Sequence, residues 1–250
     1  MAVARPGLSL VALILLAGSL VLLWFVILSG VTNSTPLNKT YFLRADTSGI
    51  TGARPISQWT YFYVCGEGNV DCGKASPDPP FGHAWGSNPA NAPEELAGSH
   101  GGHTTSSKFF YMWRFGWVFY LLGLFFSTLT FFTGFLACFG RLGAAISGLL
   151  AIISLVIYTV GVSLMTATFV IARDAFHRAD RAATLGRYAF GFSWGSWFAL
   201  LLASILLCTA MGRKDNAAGV STGRRWGRQR STRSRVSYDV GGRRVKDEYS

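Results

Sequence analysis

The chain has 250 residues, of which 50% are apolar and only 14% charged; its mean hydropathy is +0.32 and its formal net charge +11. Those values exclude an ordinary soluble globular domain and point to a membrane protein. The apolar residues are gathered into four runs, and the one long polar segment between them is rich in Gly, Pro, Ser and Asn, so no soluble core of usual size remains.

Residues 1–7, with Arg5 and Pro6, precede the first run, residues 8–30, which holds 23 residues without Asp, Glu, Lys, Arg or His. Residues 115–139, 142–172 and 188–211 are runs of the same kind, 25, 31 and 24 residues long. Each exceeds the roughly 20 residues that cross a bilayer core, which predicts four transmembrane helices over these ranges. Ala17, Gly18 and Ser19 offer a small-residue cleavage site, but the first run continues for another eleven residues. A cleaved signal has a shorter apolar region, so a retained signal-anchor helix is favoured.

The segment 31–114 carries the most specific information. Asn33-Ser34-Thr35 and Asn38-Lys39-Thr40 are N-glycosylation sequons, and the distance of Asn38 from the first span makes it the favoured acceptor. Residues 58–64 are aromatic and β-branched, as a short strand prefers, and Gly66 to Asn69 form a turn sequence. Cys65 and Cys72 are then expected to face each other across a hairpin. A disulfide closing that loop is worth about 2.5 kcal/mol in an oxidising compartment. Five prolines in residues 76–93 forbid a regular helix, and residues 99–107 read as a flexible linker. His100 and His103 lack further residues at ligand spacing and read as solvated loop histidines; neither a metal nor a cofactor is expected.

The second span opens in an aromatic belt, Phe109, Phe110, Tyr111, Trp113, Trp117 and Tyr120, with Arg114 expected to snorkel into the headgroups. Only Gly140 and Arg141 separate the second and third runs, which dictates a tight antiparallel hairpin. The third run reaches about 46 Å as a helix, more than a bilayer core needs. It is expected to continue outward to about residue 185, with Asp174 and Arg178, and His177 and Arg181, paired four apart and Gly186 as the stop. Small residues four apart, Gly123 and Ser127, Ala144 and Gly148, Gly191 and Gly195, suit close helix pairing, or reflect only the abundance of small residues in membrane helices.

Charge placement sets the expected orientation. Residues 212–250 carry 11 Lys and Arg against 4 Asp and Glu, whereas residues 31–108 carry 5 against 6. The positive-inside bias puts both termini in the cytoplasm and the long loop outside. The basic tail reads as disordered alone and drawn to the anionic inner leaflet through Arg224, Arg225, Arg228, Arg230, Arg233 and Arg235, with Trp226 at the interface. Phosphate on Ser231, Thr232, Ser234 or Ser237 would weaken that attraction. A membrane-tethered tail meets lipid before nucleic acid, so no nucleic-acid partner is expected. Cys138 and Cys208, near the cytoplasmic span ends, are candidates for S-palmitoylation or buried apolar thiols.

The four runs contain no ionisable side chain, which weighs against proton relays, coupled transporters and voltage sensors. A Walker A loop, paired catalytic carboxylates and a metal-ligand cluster are all missing from the sequence, so an enzyme is not expected.

One stretch carries a family resemblance. The aromatic lead into Val64-Cys65-Gly66, then Gly68-Asn69, Asp71-Cys72 and the sequel Pro77-Asp78-Pro79-Pro80-Phe81, together with the four-span layout, resembles the fungal Sur-seven/PalI family of plasma-membrane proteins. The resemblance implies residence in static, eisosome-type membrane domains, with roles in membrane organisation, endocytosis and cell-wall integrity. Its PalI branch implies ambient-pH sensing instead. The layout is also similar to that of claudins, where a Trp and a Cys pair occupy the first outer loop, as Trp59, Cys65 and Cys72 do here. That likeness implies an all-α membrane protein, a four-helix transmembrane bundle with a small extracellular antiparallel sheet formed by the first outer loop. The expected role is a structural organiser, with a sensor or receptor subunit and a passive channel as alternatives. Expected partners are membrane lipids, further copies in a lateral assembly, eisosome proteins and cell-wall components.

Overall fold

A computed structural model describes residues 4–137 and 141–212. Four long helices account for most of them: Ala4–Ile27, Ser107–Ala137, Arg141–Arg178 and Arg187–Gly212, called the first to fourth helices below. Each contains a stretch long and apolar enough to cross a membrane. Leu10, Ile14, Phe132, Val156 and Phe198 point outward and are more than half exposed, as lipid-facing side chains would be.

Helix ends differ from the apolar runs because local hydrogen bonding, not hydropathy, decides where a helix stops. The first helix ends at Ile27 rather than residue 30: the Ser29 hydroxyl donates to the Val26 carbonyl at 2.7 Å and Gly30 takes a left-handed conformation, φ +83°. The second helix begins at Ser107, eight residues before the apolar run, so the aromatic belt is helical and its Phe109 and Trp113 are buried. The third helix, 38 residues or about 57 Å, ends at Arg178 instead of near residue 185. There Ala179 and Arg181 N–H groups both donate to Phe176, Asp180 adopts φ +56°, and the chain turns into a strand.

That strand completes a sheet. β1 (Leu43–Asp46), β2 (Ile56–Trp59), β3 (Val64–Cys65) and β4 (Ala183–Leu185) are all antiparallel and run in the order β3-β2-β1-β4. Three strands come from the first long loop, as expected; β4 comes from the connection between the third and fourth helices and pairs Leu185 with Leu43. Gly186 follows at once, and its N–H donates to Phe42 at 3.0 Å. A Cβ at Gly186 would lie 1.6 Å from the Tyr41 carbonyl oxygen, so only glycine lets the strand close there.

The expected strand over 58–64 is folded in half. Trp59 ends β2, a tight turn at 60–63 is closed by Thr60 N–H to Tyr63 O at 2.9 Å, and Val64 returns opposite Trp59. Two large side chains close together in sequence drive this: Trp59 is buried under the sheet and Tyr61 plunges toward the bundle, its hydroxyl donating to the Trp117 carbonyl at 2.7 Å.

Sheet and bundle share one aromatic seam. Phe42 stacks on Phe169 at 4.9 Å, Trp59 meets Phe81 at 5.7 Å and Phe176 at 5.8 Å, and Phe81 meets Trp113 at 4.7 Å. Stacked, edge and tilted pairs of this kind add to the burial of large apolar area. Within the bundle the second helix packs along the third and the first along the fourth. Gly116 and Gly123 lie against Met165 and Tyr158, and Gly161 lies against Phe119. Of the expected small-residue pairs, Gly123 and Ser127 do serve an interface, since Ser127 and Ser154 hydroxyls bond at 2.6 Å. Gly191 faces open space. Ser19 and Ser196 hydroxyls pair at 2.9 Å across the first and fourth helices.

Candidate functional site: the cap

The polar segment and β4 form a cap on the bundle, and its most defined part grows out of the Cys65 to Cys72 disulfide. Cys65 lies on β3, but Cys72 lies in the following loop, not on a facing strand. The loop returns because Gly66 N–H donates to Val70 O and Gly73 N–H to Val64 O. Between them Asn69, at φ +54°, acts as a polar rivet: its amide donates to the Leu37 and Thr40 carbonyls at 2.8 Å each, and its N–H donates to the Gln58 side chain at 3.0 Å. Asn tolerates that conformation better than other non-glycine residues.

Two further anchors fix the rest. Trp59 Nε1 donates to Phe81 O at 3.2 Å and Trp85 Nε1 to Thr104 O at 3.1 Å, so residues 99–107 are a folded part of the cap rather than a free linker. Gly82 N–H donates to the buried Thr105 hydroxyl. His100 does not reach solvent freely either; its ring sits 5.4 Å from Phe110 and 5.7 Å from Tyr111.

Ion pairs knit loops to helices. Arg114, expected among headgroups, donates through Nε to Asp78 at 2.6 Å while its guanidinium lies 4.3 Å from the Phe110 ring centre. Burial pushes the Asp78 carboxyl up to about 6, although Arg114 pulls the other way. Burial also holds the Tyr61 phenol well above its ordinary value. Arg178 turns away from Asp174 and grips Glu95 with two bonds of 2.7 and 2.6 Å; Asp174 is taken by Arg173. The ring of His177 contacts Ala183 O at 2.8 Å rather than pairing with Arg181, which reaches Ser48 O and Asn91 O. These partners were available only through the fold, because 36 and 83 residues separate each cation from its carboxylate. Asp78 does sit within the Pro77-Asp78-Pro79-Pro80-Phe81 signature, which is the signal that could have marked it.

A cleft of about 470 Å³ opens between the β2-β3 hairpin, the Cys-bonded loop and the turn at Phe81–Ala84, lined by Arg54, Ser57, Lys74, Ser76, His83 and Ala84 among others. Arg54 reaches the Val64 carbonyl at 3.3 Å and Asp71 at 3.2 Å. Desolvation at the cleft wall lowers the His83 imidazole. Sequence reading singled out none of these side chains.

The remaining sequence-based sites scatter. Asn33 is exposed, whereas Asn38 is half-buried with no hydrogen-bond partner for its Oδ1. Cys208 is half-buried near Gly148, 3.8 Å from where a Cβ there would stand. Cys138 and the tail residues Arg224, Arg225, Trp226, Arg228, Arg230, Ser231, Thr232, Arg233, Ser234, Arg235 and Ser237 lie outside the described residues. Among the described residues, no group of three or more His, Cys, Asp or Glu is placed to hold a metal ion.

Four membrane-length helices under a disulfide-bonded, four-stranded cap define a multi-pass membrane protein. The family model described as SUR7/PalI family matches residues 8–206, and the chain belongs to that family. It is 34% identical over 203 residues to Protein SUR7 of Candida albicans, covering 78% of this chain and 71% of that one. It is 30% identical over 205 residues to Protein SUR7 of Saccharomyces cerevisiae, covering 80% of this chain and 66% of that one. An uncharacterized plasma membrane protein of the same yeast is also 30% identical, over 207 residues. The protein is a multi-pass protein of the plasma membrane.

Proposed function

We propose that the protein is a structural organiser of static plasma-membrane domains of the eisosome type, supporting membrane organisation, endocytosis and cell-wall integrity. The observation that carries this reading is the cap. β4, lying between the third and fourth helices, is hydrogen-bonded into a sheet from the loop between the first and second, so both connections on that side form one unit. A bundle locked in this way presents a fixed outline to lipids and to other copies, which suits lateral assembly better than a transport cycle. The cap faces the wall, both termini lie in the cytoplasm, and the basic tail holds the anionic leaflet. Lateral partners are other copies and eisosome proteins, without nucleic acid, enzymatic activity or cofactor. Fluorescent tagging tests this: immobile cortical patches are expected, and a uniform, mobile surface label would overturn it.

One observation favours a second reading, a membrane sensor or receptor subunit of the ambient-pH type. Asp78 titrates near 6 and is paired to Arg114 of the second helix, so a proton on the cap would release a membrane-helix contact. Recruitment of a cytoplasmic partner that changes between pH 5 and 7, and is lost in Asp78→Asn, would select that reading.

A further inference from the structure

From the cleft beside the disulfide, we infer that the cap binds an anionic group, a phosphate or carboxylate, carried on a sugar. Its lining brings Arg54, Lys74 and His83 together, and none of the residues lining it is acidic. The three come from segments that are each separately fixed. Arg54 is held by Val64 O, Lys74 stands two residues beyond the bonded Cys72, and His83 sits on the turn that Trp59 anchors through Phe81 O. Little ordering is therefore left for a ligand to impose on that frame. Among the described residues Lys74 has no ion-pair partner, so its charge is free for a ligand; Arg54 shares its own with an exposed Asp71. Ser76 adds a hydroxyl to the lining, while Ser57 stands there with its own hydroxyl bonded to Thr47 at 2.9 Å, and Gly52 and Gly73 also line it. The volume fits a monosaccharide-sized ligand rather than a bare ion alone. Binding itself does not depend on the orientation proposed above; only the origin of the ligand, on the wall side, does.

The test uses the full chain in nanodiscs of uncharged, zwitterionic lipid, titrated calorimetrically with glucose 6-phosphate, glucuronate, inorganic phosphate and glucose. Saturable binding of glucose 6-phosphate or glucuronate, and weaker binding of inorganic phosphate and glucose, is expected. Lys74→Gln, at an exposed position with no ion-pair partner among the described residues, should weaken binding about fivefold or more, while Lys39→Gln on another part of the loop leaves it unchanged. Glucose binding as well as its phosphate, no anionic sugar binding, or equal affinities in Lys74→Gln and the parent chain would each overturn the proposal. Patch formation measured separately in Lys74→Gln keeps a failed cleft distinct from a failed organiser.

Discussion

At single positions the cap is sensitive where atoms are crowded or charges are buried. Gly186→Ala would set a methyl group against the Tyr41 carbonyl, 1.6 Å away, whereas a Cβ at Gly191 meets nothing within 4 Å. The first substitution should destabilise the cap by about 3 kcal/mol or more and the second by little, read as unfolding midpoints in detergent. Asp78 supplies a pH dependence of definite sign. Its carboxyl titrates at about 6 in the folded chain against an ordinary value of 3.8, so the folded state holds the proton more tightly. Its contribution is most favourable below about pH 4 and is lost as pH rises through 6, by up to about 3 kcal/mol. Glu95 runs the other way, its carboxyl lowered by Arg178, with stability present above its unfolded range and lost on acidification. Asp78→Asn should therefore flatten thermal stability between pH 4 and 6 relative to the parent chain. An unchanged slope would mean that the carboxyl stays in contact with water. Cys65→Ser removes the disulfide, and should cost about 2–3 kcal/mol in the cap and impair surface delivery while leaving the spans inserted. Mass analysis of unreduced peptides from the parent chain should find Cys65 and Cys72 linked.

At the scale of elements, β4 is the part that the sequence concealed and the spans are the part that it displayed. Twenty or more consecutive apolar residues can satisfy their backbone in lipid only as helix, so the four runs were legible from hydropathy alone. Three residues, Ala183 to Leu185, carry no such signal; they become a strand because Leu43 to Ala45, far upstream in the chain, lies opposite and fixes the register. The same applies to Arg114 and Arg178, whose local surroundings suggested headgroups and an i, i+4 partner, and whose actual carboxylates are remote in sequence. Cysteines seven apart could be paired by eye, yet the turn that bends residues 60–63 could not be placed, since Trp59 and Tyr61 are directed by the helices beneath. Thr184→Pro tests β4 directly. Proline removes a strand N–H, so amide exchange in β1 should accelerate while exchange in the span helices stays as before.

For the whole molecule, the proposed assembly rests on the tail as well as the cap. Replacing Arg224, Arg225, Arg228, Arg230, Arg233 and Arg235 with Gln should leave the chain inserted but disperse it from cortical patches. A peptide of the tail should bind anionic vesicles less well as salt rises, because screening shortens the reach of each charge. Patches that persist in the Gln variant would assign assembly to the bundle and cap alone. The relatives run longer than this chain, which spans 71% and 66% of the two SUR7 proteins.

The pairing of β4 with β1 also sets an order of events during synthesis. The residues of β1, β2 and β3 are all made once the first loop has emerged, but the free edge of β1 waits for residues 183–185, well over a hundred positions later. At ordinary translation speeds that is on the order of ten seconds with unpaired backbone groups on display. A nascent chain in that interval offers a ready template to the β4 segment of a neighbour, so closely spaced ribosomes on one message are where exchanged, strand-swapped pairs would be born.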